Sequence, residues 1–441
     1  MRIKDIRGTR QHAGPRSRRA WLLALTSIAM AAVLAVAACS GGCGSGGTNK
    51  ATGGASSGAA ESGTLTVWHY FSDVNQVKLM EEYGAKFKAA HPGVTVENVY
   101  VPYDQMNSKL ISAAGAKTGP DIVVFNGAEA AIIALGGALA PIDKQWASFA
   151  DAAQFPDSVI HKINGKIYAV QGYVNLLGLW YNADILKKIG VKPPKTLDEL
   201  EAAMAAAKGA GDQGITLCGL PQSQGEWQAY PWLTDAGFNY KKPDATALET
   251  ALARVRGWVK NGWLSQECVT WDQTVPFQQF AAGKVAFAEN GNWLLATAKS
   301  DAKFSYGVVP LPLGDSGQVY LGGEGEGIGA FSKNPELAWK YLSETYFDRA
   351  GQILPVKLVG SIPSRRDAAQ DEAVTSNKLL KPFADTIARR GANYPAGDIP
   401  PEAVGDVQLT VGQAWSAALS GQRSPADAAS TAITALQSLL R

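Results

Sequence analysis

The stretch TLTVWHYF (64–71), with KFKAAHPGVTVE (86–97) and GPDIVVFNG (119–127) behind it, decides the fold. Residues 64–71 are β-branched and aromatic, as a strand requires. Asp73, with Gln76 three residues on, has the spacing of a helix-capping box, and Val77, Met80, Tyr83 and Phe87 then recur on one face through about Ala90. VTVENVYV (94–101) reads as a second strand, and DIVVF (121–125), entered through Gly119-Pro120, as a third. Strands alternating with helices predict an α/β architecture with mostly parallel sheets.

Towards the C-terminus the alternation continues. KIYAV (166–170) and LLGLWY (176–181) read as strands, and Thr196 with Glu199 caps a helix that turns Leu197, Leu200 and Met204 inward. Asn334-Pro335 and Ser424-Pro425 each place a cap residue before a proline at the first helical position. The last helix buries Ala429, Ile433, Leu436 and Leu440. There is no internal repeat.

Towards the N-terminus the pattern changes. Residues 40–63 are Gly, Ser, Ala and Thr with little to bury, which makes a flexible tether. The tether contains Gly54-Ala55-Ser56-Ser57-Gly58, a formal nucleophile-elbow string without the strand-to-helix turn that such a nucleophile needs. Before it, seven basic residues within 1–19 lead into an apolar run from Ala20 to Ala38. Basic head, apolar run and small-residue end are the parts of an export signal. The alternative is an uncleaved membrane anchor, for which the run has about the minimum length. Val36-Ala37-Ala38-Cys39 resembles the lipobox of bacterial lipoproteins, which implies cleavage after a 1–38 signal peptide and a diacylglyceryl group on Cys39. The expectation is therefore a lipidated Cys39 and linker over 39–63, and a body held on the outer face of the cytoplasmic membrane. Two acyl chains suffice for stable anchoring, at roughly 0.8 kcal/mol per buried CH₂.

The 441 residues are 46% hydrophobic and 18% charged, the composition of a folded chain of two to three domains. The formal charge of +2 is misleading, because the first 19 residues carry much of the positive charge and the remainder is near −4. That balance argues against nucleic acid as a partner. With four His and no HExxH, CxxC or Walker A pattern, no metal or cofactor is expected. The string Gly325-Glu326-Gly327-Ile328-Gly329-Ala330 matches a dinucleotide fingerprint only formally, since its Glu would repel a phosphate.

The motifs named so far, together with GKIYAV (165–170), LWYNADILKKIGV (179–191), FAAGKVAFAENGNW (280–293), SYGVVPLP (305–312) and GGEGEGIGAFSKNPELAWKYL (322–342), run in one order over residues 64–441. In that order and spacing the chain is similar to the family 1 extracellular solute-binding proteins, the group that contains the maltose- and trehalose-binding proteins. The resemblance implies a two-lobed, type II periplasmic-binding-protein-like α/β fold, with a hinge and a ligand cleft between the lobes. Lobe 1 would comprise 64–171 with 308–362, and lobe 2 would comprise 172–307 with 363–441. It also implies a sugar ligand, a di- or oligosaccharide, and delivery to the permease of an ABC importer.

A sugar offers hydroxyls at its rim and C–H patches on its faces, so its site needs amides, carboxylates, Arg and aromatic planes. The chain has 12 Trp. Positions resembling the family's cleft are Tyr70 and Asp73 after the first strand, Asn126 and Glu129 after the third, and Asn175 past the hinge crossing. Trp227, Trp271, Trp293, Gly323, Glu324 and Arg365 complete the candidate set. Trp227 and Trp293 stand in loop-like surroundings, which suggests aromatic platforms. Trp68 reads as core, Tyr230 and Trp232 equally well as packing, Glu324 as a cleft acceptor or a turn residue, and Arg365-Arg366 also as a surface pair. A secreted glycoside hydrolase is the rival reading: Glu226, Glu289 and Glu324 supply carboxylates on paper, but no hydrolase signature surrounds them. A surface adhesin is another rival, though it would not need the ordered two-lobe motifs. Outside the cytoplasm disulfides persist, so Cys218 and Cys268 are expected to bridge, the alternative being two buried thiols.

Overall fold

The computed structural model describes residues 62–441. The expected signal segment, Cys39 and nearly all of the linker lie outside the described residues. Six strands come first: β1 (Gly63–His69), β2 (Val94–Tyr100), β3 (Ile122–Asn126), β4 (Leu139–Ala140), β5 (Ile160–Ile163) and β6 (Lys166–Gln171). Next are β7 (Tyr173–Val174), β8 (Leu177–Asn182), β9 (Gln213–Thr216), β10 (Val285–Gly291) and β11 (Tyr306–Val309). The last are β12 (Val319–Leu321), β13 (Glu324–Gly329), β14 (Ile362–Pro363) and β15 (Gly391–Asn393).

Two sheets organise the chain into two lobes. The first has the order β2-β1-β3-β13-β6-β5, with β4 also paired to β13. The second has the order β11-β8-β10-β9. The β1–β2, β1–β3 and β9–β10 ladders are parallel. However, β13 runs antiparallel to β3, β4 and β6, and β8 antiparallel to β10 and β11. The expectation of mostly parallel sheets is thus corrected to mixed ones. The reason is connectivity: β13 returns to the first sheet from the second and enters it from the opposite end.

Local sequence explains the elements. Helix α1 (Val74–Ala90) starts where Asp73 accepts the N–H groups of Asn75 and Gln76, which satisfies two of the orphan donors at a helix start. It buries Leu79, Met80, Tyr83 and Phe87; Val77 is only half-buried. Helix α2 (Leu197–Gly209) begins with Thr196 accepting the Glu199 N–H at 3.2 Å, while Glu199 reaches back to the Lys195 N–H at 2.7 Å. The second lobe packs α3 (Ser223–Asp235), α4 (Ala245–Lys260), α5 (Val404–Ser420) and α6 (Pro425–Leu439) against one another. Ser424 caps α6 through the Asp427 N–H at 3.1 Å. In the first sheet Ile122, Val123, Val124 and Phe125 are all fully buried, each such side chain contributing about 1.5–3 kcal/mol.

The chain passes from the first sheet to the second through 172–176 and returns through 310–323, and a third segment, 359–363, lies against the first of these crossings. The crossings hold one another. Asn175 and Gly322 exchange backbone hydrogen bonds at 2.9 and 2.8 Å, β7 pairs with β14, and the Gly172 N–H donates to Glu326 Oε2 at 2.7 Å. No helix among the described residues is long and apolar enough to cross a membrane. The expected bridge is corrected: Cys218 and Cys268 are free, buried thiols. Burial pushes each up to about 12 and keeps it protonated.

Candidate functional site

The site is a cavity of about 160 Å³ where the lobes meet. The first lobe supplies Tyr70 just beyond β1, Asn126 at the end of β3, and Gly322 to Glu324 where the chain enters β13. Ligand sites in α/β sheets form at such strand ends. The hinge supplies Asn175. The second lobe supplies Gln224 and Trp227 from the start of α3, Gln273, and Trp293 just past β10. Tyr394 follows β15. Of the candidates read from the sequence, Tyr70, Asn126, Asn175, Trp227, Trp293, Gly323 and Glu324 line this one cavity.

Four candidates do not line it. Asp73 is exposed and holds the start of α1, bordering a neighbouring groove of about 470 Å³. Glu129 accepts from Asn107 Nδ2 at 2.6 Å, and burial raises its carboxyl above the usual range. Trp271 is half-buried and packs on the core. Arg365 is 4% exposed, with Asp151 and Asp367 each at 2.8 Å and the Phe347 carbonyl at 2.8 Å. Its guanidinium is saturated by these three partners, so neither the cleft nor the surface reading holds.

Trp227 is not in a loop. It lies in the first turns of α3 and is 6% exposed. A Cβ on Gly225 would meet the Leu220 carbonyl oxygen at 1.8 Å, so that glycine lets the helix start close beneath a turn. The Trp227 ring stacks on Tyr320 at 5.7 Å and meets the edge of Tyr394 at 4.5 Å. Its benzo edge rests on Gly322, where a Cβ would come within 2.3 Å of Cη2. The Trp227 Nε1–H is buried without a hydrogen-bond partner. Trp293, in the single turn Asn292–Leu294, is half-buried and presents the more open ring.

Burial dominates the acids. The Glu324 carboxyl is pushed up to about 7, tempered by the Tyr70 hydroxyl, which donates to Oε1 at 2.8 Å. Oε2 makes no hydrogen bond, although the Tyr173 hydroxyl is near enough to oppose the shift. Glu226 is likewise pushed up to about 7 by burial, against donation from Tyr240 at 2.6 Å and Tyr320 at 2.7 Å. Glu289 is held well above the usual range by burial and accepts from Trp232 Nε1 at 2.8 Å. Glu226 and Glu289 are fully buried behind the cavity. Among the described lining residues Glu324 is the one carboxylate, and none is basic. No group of three His, Cys, Asp or Glu with metal-holding geometry occurs among the described residues.

Sequence reasoning missed Tyr394, Gln224, Gln273, Gln76, Tyr103 and Ser223. Gln76 was legible only as a helix-start residue, and Tyr394 sits in NYPAG, where no periodicity marks it. These positions become a site only when strand ends from both lobes meet.

A two-lobed α/β body with an aromatic, amide-lined cavity at its hinge has the type II periplasmic-binding-protein fold. Residues 82–382, more than half of the chain, match the family described as bacterial extracellular solute-binding protein, and the chain belongs to that family. Among its relatives, a protein of Brucella abortus (strain 2308) named only as a binding protein is 26% identical over 319 residues, covering 69% of this chain and 76% of the relative. The maltotriose-binding protein of Pyrococcus abyssi is 23% identical over 349 residues, covering 74% and 72%. The solved GacH receptor of Streptomyces glaucescens, determined unliganded and with acarbose, superposes with a TM-score of 0.76 at 26% identity, covering 86% of this chain and 99% of that one.

Proposed function

We propose that this chain captures a neutral di- or oligosaccharide in the interlobe cavity and delivers it to the permease of an ABC importer, as a binding protein and not an enzyme. The observation that carries the reading is the lining itself: two indoles, three tyrosines, several amides and one carboxyl, with no basic side chain. Trp293 offers a ring face for sugar C–H groups, and the amides and Glu324 offer partners for hydroxyls. The relatives named for maltotriose and acarbose support the sugar class. Burial of Glu226 and Glu289 away from the cavity disfavours the hydrolase reading, which needs two opposed carboxylates at the sugar.

In the same reading the lobes divide as 64–171 with 308–362 and 172–307 with 363–441, and acyl chains on Cys39 hold the body at the outer face of the cytoplasmic membrane. A thermal-shift screen with maltose, maltotriose, trehalose and xylo-oligosaccharides tests the function, because a ligand bound only by the native state raises the midpoint by mass action. A shift with none of them sinks the sugar assignment, and release of reducing ends from a bound sugar sinks the non-enzyme one. Mass spectrometry of the mature N-terminus tests the anchor: a modified Cys39 is expected, and an intact Met1 refutes it.

A further inference from the structure

Three of the amide side chains that line the cavity have their oxygens taken up by the protein. Asn126 Oδ1 accepts the Ala128 N–H at 3.0 Å, and Gln224 Oε1 accepts the Gln273 N–H at 3.1 Å. A backbone N–H can only donate, so neither amide can turn over without losing its bond. Asn175 Oδ1 instead accepts from Asn292 Nδ2 at 2.9 Å. Its orientation therefore depends on that of Asn292.

Asn292 is fully buried. Its Oδ1 accepts the Leu176 N–H at 2.8 Å, and its Nδ2 donates to the Gly360 carbonyl at 2.9 Å. One of these backbone groups is a donor and the other an acceptor, so only one orientation of the Asn292 amide satisfies both. Its remaining N–H points at Asn175, where a second NH₂ would set hydrogen against hydrogen. Asn175 must turn its oxygen inward and its NH₂ towards the cavity it lines. Among the described residues, the NH₂ groups of Asn126, Asn175 and Gln224 make no protein hydrogen bond. Trp227 Nε1 adds another unpartnered donor, and Glu324 Oε2 an unpartnered acceptor.

We propose that Asn292, which does not itself line the cavity, is a positioning residue that sets the polarity of the cavity wall: it holds the Asn175 amide NH₂-outward and completes an array of N–H donors to which a ligand must bring oxygen acceptors. The inference rests on the sugar-binding reading and narrows it. A sugar hydroxyl satisfies the array by accepting from it while its own hydrogen goes to Glu324 or to water. An ammonium group has no lone pair to offer and is disfavoured at this wall. Leu176 lies on a crossing between the lobes and Gly360 on the separate segment that pairs with it, so the same side chain that ties the hinge also orients the wall.

Two measurements test this, one of which needs no ligand. In the full chain labelled with ¹⁵N-asparagine, the Asn175 side-chain NH₂ should relax as a rigid group, with an order parameter of about 0.85, and fall below about 0.6 in Asn292→Ala. Equal order in the two proteins overturns the proposal. The second variant, Asn175→Asp, keeps an acceptor for Asn292 but turns an oxygen to the cavity in place of the NH₂. Titrated with maltotriose, it should bind at least about tenfold more weakly than the native chain, the cost of a mismatched buried polar contact. Unchanged or tighter binding overturns the proposal. If maltotriose fails to bind the native chain, that ligand assignment fails, while the amide order still decides the role of Asn292.

Discussion

Gly322→Ala puts a methyl group into the tightest contact of the site. Its Cβ would lie 2.3 Å from Trp227 Cη2, 2.6 Å from Cζ3 and 3.3 Å from Cζ2, where carbon atoms prefer about 3.5–4.0 Å. The indole would have to retreat by more than about 1 Å to reach that spacing. It has little room, because Tyr320 stacks on it and the Tyr394 edge closes on it. The methyl cannot move either, since Gly322 is locked to Asn175 by two backbone hydrogen bonds. Overpacking of this kind costs about 1–3 kcal/mol of stability, and the displaced indole should also weaken sugar binding by about tenfold or more. Urea unfolding followed by tryptophan fluorescence reads the first effect and maltotriose titration the second. In the double variant Gly322→Ala with Trp227→Phe, the smaller ring makes room, so the two costs should sum to more than the double-variant cost. Strict additivity, or a Gly322→Ala protein as stable and as tight-binding as the native chain, would refute the contact.

Trp293→Ala should lose about thirtyfold in sugar affinity, the cost of an aromatic anchor worth about 2 kcal/mol; a change below threefold in titration removes Trp293 from the site. Arg365→Met should cost about 1–3 kcal/mol in urea unfolding, discounted because Asp151 and Asp367 stay partly exposed, yet leave affinity within twofold. A selective loss of binding there would restore Arg365 to the cleft. The folded-state pKa of Glu226, about 7, lies above the ordinary carboxyl value of 4.5, so its contribution to stability is whole below about pH 4.5 and is lost as pH rises through about 7. Against Glu226→Gln, the native chain should therefore lose roughly 3 kcal/mol of relative stability between about pH 4.5 and 8, read from urea midpoints. A pH-independent difference contradicts a buried, reluctant carboxyl.

Much of the fold is local and was therefore legible. β1, β2, β3 and β6 appear within two residues of where β-branched alternation places them, and the starts at Asp73, Thr196 and Ser424 are held by the residues the cap spacing names. The site was legible in part. Residues at the carboxyl ends of strands, such as Tyr70 and Asn126, could be named because a strand's end is itself a sequence feature. Trp227 looks like a loop residue in the sequence because Gly225 mimics a loop signal, whereas in the fold that glycine serves a close approach to Leu220.

What the sequence determined alone is whatever depends on neighbours a few residues away: strand and helix periodicity, caps, the ordered motifs, and the stock of indoles and amides. What only the tertiary structure decided depends on partners far along the chain. Arg365 is removed from the cleft by Asp151, 214 residues away, and Glu324 is joined to Tyr70 across 254 residues. The end of Asn175 that faces a ligand is set by Asn292, 117 residues distant. An amide reads the same in a sequence whichever way it points; only the fixed polarity of the backbone packed against it makes one end a donor to solvent or sugar.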